Sequence, residues 1–208
     1  MSKFLFFGDS ITDAGRNRDL DLHQSSYGYG YVRSLVGTLH KESAKHTIYN
    51  RGISGDRVVS LYARIKPDVW NLEPEILTIL IGVNDIWHEL KQNGVEIDRF
   101  EKVYRILISE TLERLPNVKI ILIEPFFLKG SATIENYEHF LAVKDYAKVV
   151  EKLANEFNLP LVKVQDKFDE LAKLNGDEFY LYDGVHPNIA GADVIADEWY
   201  KVYCQKVK

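Results

Sequence analysis

The 208-residue sequence predicts an α/β domain built on a five-stranded parallel sheet, and three observations carry that prediction. Short apolar runs alternate along the chain with longer segments of helical period, the pattern of strands linked by crossover helices. The runs are apolar on successive residues, as strands covered on both faces should be. Three of them run directly into polar turns that contain glycine, where open parallel sheets place their ligands.

The five predicted strands are Phe4–Phe7, Thr47–Asn50, Ile76–Ile81, Lys119–Ile123 and Leu161–Val164. Helices fill the intervals. Tyr31, Leu35, Val36 and Leu39 recur at helical spacing, as do Phe100, Val103, Ile106 and Leu107, and then Val143, Tyr146, Ala147, Val150 and Leu153; each set reads as a stripe facing the core. A final helix is expected to start after the N-cap residue Asn188 and to present Ile189, Ile195, Trp199 and Val202 to the sheet. Cys204 reads as a small buried hydrophobe of that helix. The long irregular stretches are about Asp13–Tyr27, about Pro125–Tyr137 and the segment before His186. No repeat, linker or shift of composition divides the chain, so residues 1–208 are expected to form one domain, doubly wound by default.

With 46% hydrophobic and 12% aromatic residues the chain can bury a sizeable core. Net charge is −5 and no basic run is present, which argues against nucleic acid as a partner. The apolar runs fall far short of the roughly 20 residues of a membrane span. A single cysteine suggests neither a disulfide framework nor a Cys-based zinc site. A soluble cytoplasmic protein is therefore expected.

The first three strands run into Gly8-Asp9-Ser10, Asn50-Arg51-Gly52-Ile53-Ser54-Gly55 and Gly82-Val83-Asn84-Asp85. Near the carboxyl end, Asp183 lies three residues before His186, immediately ahead of the last helix. A serine hydroxyl attacks a carbonyl when a neighbouring base takes its proton and a third group orients that base. Ser10, His186 and Asp183 match these roles. Donors for the resulting oxyanion are expected from Ser10 N–H, Gly52 N–H and the Asn84 side chain, with glycine at 52 leaving room for the substrate. Each residue also has a plainer reading. Ser10 could belong to a capped turn, Gly52 and Asn84 could be turn formers, and Asp183 and His186 could simply precede a helix.

Asp9 and Asp85 lack any His-x-x-x-His or calcium-loop spacing, so they read as hydrogen-bonding supports rather than metal ligands. Gly28-Tyr29-Gly30 lacks the third glycine and the preceding strand of a dinucleotide site. No metal and no cofactor are expected. Tyr27, Tyr29, Tyr31 and Trp87 are candidates for stacking on a sugar ring or for ordinary packing. His88 could hydrogen-bond a substrate or be a solvated helix residue.

Together these blocks resemble the SGNH hydrolases, the GDSL-type esterases and lipases, over nearly the whole chain. The resemblance rests on Phe7-Gly8-Asp9-Ser10-Ile11-Thr12, Asn50–Gly55, Gly82–Asp85 and Asp183–His186 in that order. It implies a flavodoxin-like three-layer α/β/α fold, a nucleophile at Ser10, a base at His186 oriented by Asp183, and an oxyanion hole of Ser10, Gly52 and Asn84. A narrower resemblance rests on Ser10–Arg16, Gly28–Val32, Gly82–Trp87 and Glu124–Phe127. It is to bacterial intracellular acetyl esterases acting on xylan-derived saccharides, and it implies an acetylated saccharide substrate, no cofactor and assembly as a homo-oligomer. His88 stands where an arginine is expected in those relatives, and Tyr182, a further candidate for substrate contact, where a tryptophan can precede the acid. The alternative within the same chemistry is a broader acyl hydrolase acting on thioesters, lysophospholipids or longer chains; outside it, a binding protein that keeps the fold without turnover.

Overall fold

In the computed structural model, which describes residues 2–208, the strands are β1 (Lys3–Gly8), β2 (Thr47–Gly52), β3 (Ile76–Leu80), β4 (Lys119–Ile123) and β5 (Leu161–Val162). The helices are α1 (Ser10–Asp13), α2 (Tyr31–Glu42), α3 (Val58–Asp68), α4 (Val83–Trp87), α5 (Ile97–Arg114), α6 (Tyr137–Phe140), α7 (Val143–Glu156), α8 (Gln165–Asn175) and α9 (Ile189–Lys206). All strand pairs are parallel, in the order β2-β1-β3-β4-β5. Chain direction across the sheet reverses between β1 and β3, the switch point where the carboxyl ends open a crevice. There the register sets Gly8 opposite both Gly52 and Leu80, so the three polar turns leave the sheet at one level.

Alternation along β1 divides the core into two halves. Phe4 and Phe6 pack against Trp199 of α9, and Phe6 also meets Tyr31 of α2 edge to face. Phe7 points the other way, under the Arg64 guanidinium of α3 at 4.4 Å. Helices α2 and α9 pack together on the first side, while α3, α5 and α7 pack in sequence on the second. Trp199 is fully buried, and its indole N–H donates to Thr78 Oγ1 at 2.9 Å.

Several sequence expectations change at the margins. β2 is an edge strand with alternating burial, because only β1 pairs with it. β5 has two residues and β3 stops before Ile81. The buried stripe of α5 is Phe100, Tyr104, Leu107, Ile108 and Thr111, and Ile106 is exposed because each helical step turns about 100° away from Leu107. Asn188 caps α9 as expected, accepting from Gly191 N, but Ile189 is exposed. Six positions separate it from Ile195, about 240° around the helix, so both cannot face the sheet. Val202 is half-buried, and Tyr203 takes the core position beside Trp199. Cys204, one step beyond Tyr203, is exposed, not buried. No described helix is long and apolar enough to cross a membrane.

Trp199→Ala is expected to destabilise the protein by about 3–5 kcal/mol. Trp199→Phe, which removes only the donor to Thr78 and part of the ring, should cost about 1–3 kcal/mol. Urea unfolding midpoints of the two variants check the order.

Candidate active site

α1 begins at the carboxyl end of β1 and carries Ser10 in its first turn. Asp9 caps the helix, accepting from Ile11 N at 2.9 Å. Ser10 Oγ lies 2.8 Å from His186 Nε2, across 176 residues of chain. On the other side of the ring, Nδ1 lies 2.7 Å from Asp183 Oδ2. With Nδ1–H held by the carboxylate, Nε2 is left as acceptor for the serine hydroxyl. Asp183 Oδ1 accepts from Val185 N at 2.9 Å and from His186 N at 2.7 Å, fixing the carboxylate to its own turn. Burial alone would raise the Asp183 pKa, but hydrogen bonds from the His186 side chain and backbone outweigh it and hold the carboxyl below its ordinary range. Burial alone would lower His186; the Asp183 hydrogen bond and charge reverse that and raise it.

The turn bearing Asp183 is cradled by the 125–137 stretch, which the sequence presents as a long loop. Its first part is packed inside: Phe126 meets Phe168, and Phe127 meets Phe140. Leu128 N donates to Gly184 O and Ala132 N to Asp183 O. Thr133 Oγ1 donates to Leu128 O and accepts from Gly130 N, closing the cradle. A Cβ on Gly130 would stand 2.3 Å from Asp183 C, so only glycine lets the two backbones meet. Glu124 accepts from Val164 N and Gln165 N, which anchors the start of this stretch to α8.

The oxyanion side differs from expectation at one residue. Asn84 Nδ2 donates one hydrogen to Asp56 O at 3.1 Å and keeps another for a ligand. Gly52 N–H, in contrast, is already given to Asn50 Oδ1 at 2.9 Å. A Cβ there would lie 2.1 Å from Asp13 N, so position 52 is glycine because α1 packs onto it, not because substrate approaches. The free donor of this segment is Gly55. Its neighbours Ile53, Ser54 and Asp56 all donate their N–H groups, whereas Gly55 N–H has no acceptor among the described residues. Gly55 is exposed with φ +86°, and space beside it is bounded only by His88 Cε1 at 4.0 Å from an ideal Cβ. The sequence signal was the second glycine of Gly52-Ile53-Ser54-Gly55, but which glycine keeps its N–H free is a matter of local hydrogen bonding.

Arg64 is a further residue that sequence reading missed. Its guanidinium donates to Gly8 O at 3.1 Å, Asp56 Oδ2 at 2.7 Å and Asp68 Oδ2 at 2.7 Å, tying the end of β1 to the Gly55–Asp56 turn. Asp85 is fully buried and accepts from Val58 N at the start of α3. Asp9 is also fully buried; one oxygen serves the cap and Oδ2 has no partner. Burial pushes the Asp9 carboxyl up to about 7, against smaller lowering effects from Ile11 N and His186.

Of the aromatic candidates, Tyr182 stacks on the His186 ring, 5.9 Å between centroids and 20° between planes. Trp87 meets the same ring at 6.0 Å. Tyr29 is largely exposed and, with Ala14, Tyr182, His186 and Pro187, surrounds a shallow depression of about 20 Å³ at Ser10. Tyr27 and Tyr31 are not brought there. Tyr27 is buried along another cavity beside Leu22 and Arg33, and Tyr31 is a core residue hydrogen-bonded to Thr12. His88 flanks the Gly55 turn, and burial with the Arg57 and Lys91 charges lowers its pKa.

Residues 6–194 match the GDSL-like Lipase/Acylhydrolase family. The acetylxylan esterase of Geobacillus stearothermophilus is 36% identical over 203 residues, covering 93% of this chain and 90% of that one. Isoamyl acetate-hydrolyzing esterase of Saccharomyces cerevisiae is 27% identical over 96% of this chain and 85% of the yeast protein. In structure, a GDSL-like protein of Parabacteroides merdae superposes with TM-score 0.93 at 38% identity, covering 99% of this chain and 96% of its own. The Geobacillus esterase superposes at 0.87 with 34% identity, covering 97% and 93%. Its solved forms include catalytic mutants at a serine, an aspartate and a histidine, the last two spaced by three residues.

Two expectations test this geometry. Gly130→Ala should displace the Asp183 turn and lower kcat by about 10²-fold, the scale set by a misplacement of about 1 Å, with little change in KM. Asp9 titrates near 7 when folded and near 4 when unfolded. The unfolded chain therefore gives up its proton first as pH rises, and this group makes stability fall between about pH 4 and 7. Asp9→Asn should flatten that fall in denaturation measured against pH.

Proposed function

The chain belongs to the GDSL-like lipase and acylhydrolase family, and from that premise we propose that it is a serine esterase that removes acetyl groups from small saccharides through an acyl-enzyme. The observation that carries this reading is the relay of Ser10, His186 and Asp183, joined at 2.8 and 2.7 Å at the switch point of the sheet. Ser10 Oγ attacks the ester carbonyl as its proton passes to His186 Nε2. The oxyanion accepts from Ser10 N–H, Gly55 N–H and Asn84 Nδ2. His186 then protonates the leaving alkoxide, and a water activated by the same ring releases acetate. Asp183 stabilises the imidazolium in both halves.

A short acyl group is supported by the shallow depression at Ser10. The larger cavities of 490 and 590 Å³ do not include Ser10 in their walls. Both curated relatives carry acetate esters in their names, one a polysaccharide ester and one a simple alcohol ester. Tyr29, Trp87, Tyr182 and His88 stand where they can meet the sugar. The same reading keeps a cytoplasmic homo-oligomer: the single cysteine fits a reducing compartment, the assembly rests on the resemblance to acetyl esterases, and light scattering checks it.

The test is hydrolysis of p-nitrophenyl acetate and octanoate by the intact protein, Ser10→Ala and Asn84→Ala. Acetate is expected to be the better substrate, with activity lost in Ser10→Ala and turnover lowered about 10²–10³-fold in Asn84→Ala. Preference for octanoate would move the substrate to the broader acyl hydrolase class. Equal activity in Ser10→Ala would overturn the mechanism.

A further inference from the structure

A cavity of 490 Å³ opens behind the Asp183 turn, between the 129–134 stretch and the 175–179 segment. Its size falls within the roughly 300–1,000 Å³ of small-molecule sites. It is not remote from the chemistry. Gly130, in its wall, packs against the backbone of Asp183 and Gly184. Phe179, in the opposite wall, lies three residues before Tyr182, which stacks on His186. Three residues of chain reach at most about 11 Å, so the cavity and the reactive serine border the same short segment.

Phe179 is 52% exposed, and one edge of its ring rests on a buried neighbour. It sits edge to face on the buried Tyr180 at 4.9 Å and 80°. Tyr180 OH accepts from Asn175 Nδ2 at 2.7 Å, and Phe179 O accepts from the Asn188 side chain. An exposed aromatic ring on an anchored backbone offers its free face to an apolar surface. Around it the Glu178 carboxylate and the Ser131 hydroxyl have no side-chain partner among the described residues. Lys129 Nζ lies over Tyr137 at 4.7 Å. An apolar ring face bordered by free acceptors and donors fits an uncharged sugar, whose C–H face stacks while its hydroxyls reach the rim. It suits an acyl chain less, because the charged Lys129, Asp177 and Glu178 stand beside the apolar Phe179 and Ile134. It does not suit a phosphate, which Asp177 and Glu178 would repel.

We propose that this cavity is a distal saccharide subsite, holding an unreacting sugar residue of an oligosaccharide whose acetylated residue is cleaved at Ser10. The proposal rests on the esterase reading above and adds to it a preference for oligomers over single sugars. Binding energy gained away from the ester is then used to hold the reacting residue at Ser10.

The experiment compares acetylated xylose, acetylated xylotetraose and p-nitrophenyl acetate as substrates of the intact protein, Phe179→Ala and Glu178→Gln. The intact protein is expected to favour the tetraose over the monosaccharide by about tenfold in kcat/KM, the scale of one aromatic contact. Phe179→Ala should abolish that preference through KM, and Glu178→Gln should weaken it. Neither variant should alter cleavage of p-nitrophenyl acetate, which also reports an intact fold. Equal use of both saccharides by the intact protein, or a preference that survives Phe179→Ala, would overturn the subsite and leave the esterase reading standing. Cleavage of p-nitrophenyl acetate alone, with both saccharides refused, would remove the saccharide substrate and the subsite together.

Discussion

The Asp183 carboxylate gives one oxygen to the backbone of its own turn and the other to the His186 ring, and this division organises the site. Because Oδ1 is held by Val185 N and His186 N, Oδ2 has one direction left in which to accept. The ring is thereby set in a single tautomer with Nε2 toward Ser10. The same carboxylate raises the imidazole pKa and is itself held low. A carboxylate with a free oxygen would allow the ring to turn. The buried cradle of Leu128, Gly130 and Thr133 therefore helps to set the ring, because it holds the turn that carries Asp183.

The other half of the site is set by the sheet. Gly8, Gly52 and Leu80 share one level, so the turns they begin must converge. Arg64 then fastens two of these turns by donating to Gly8 O and Asp56 Oδ2. Rigid strands supply position and irregular turns supply donors, the arrangement that lets open α/β sheets host catalysis at a switch point. Beside Ser10, Asp9 shows a cost of this packing: its buried Oδ2 has no partner and its pKa rises accordingly.

Much of this was legible in the sequence, and the failures have physical causes. Runs such as Phe4–Phe7 and Ile120–Ile123 are apolar without interruption because helices cover both faces, and that pattern survives in a single sequence. Ser10, Asp183 and His186 stand out in the sequence as a hydroxyl, a carboxylate and an imidazole beside glycine turns, and the fold joins them in one hydrogen-bonded row. Gly52 was misread, since Asn50–Gly55 contains two glycines and only coordinates reveal that Asn50 takes the N–H of the first. Ile106, Ile189 and Cys204 were misplaced because each lies off the buried stripe of its helix, a distinction residue type does not carry. The 125–137 stretch is irregular as expected, but its burial was not legible because its backbone is satisfied by Asp183, Gly184 and Gln165, partners distant in sequence.

The central claim is that Ser10 is the nucleophile and that His186 activates it. The measurement that tests it most directly is peptide mapping by mass spectrometry after reaction with a fluorophosphonate, in the intact protein and in His186→Ala. The account predicts one added phosphonyl group on Ser10 in the intact protein and severe slowing of that labelling in the variant. Labelling of another residue, or labelling of Ser10 at the same rate without His186, would contradict it.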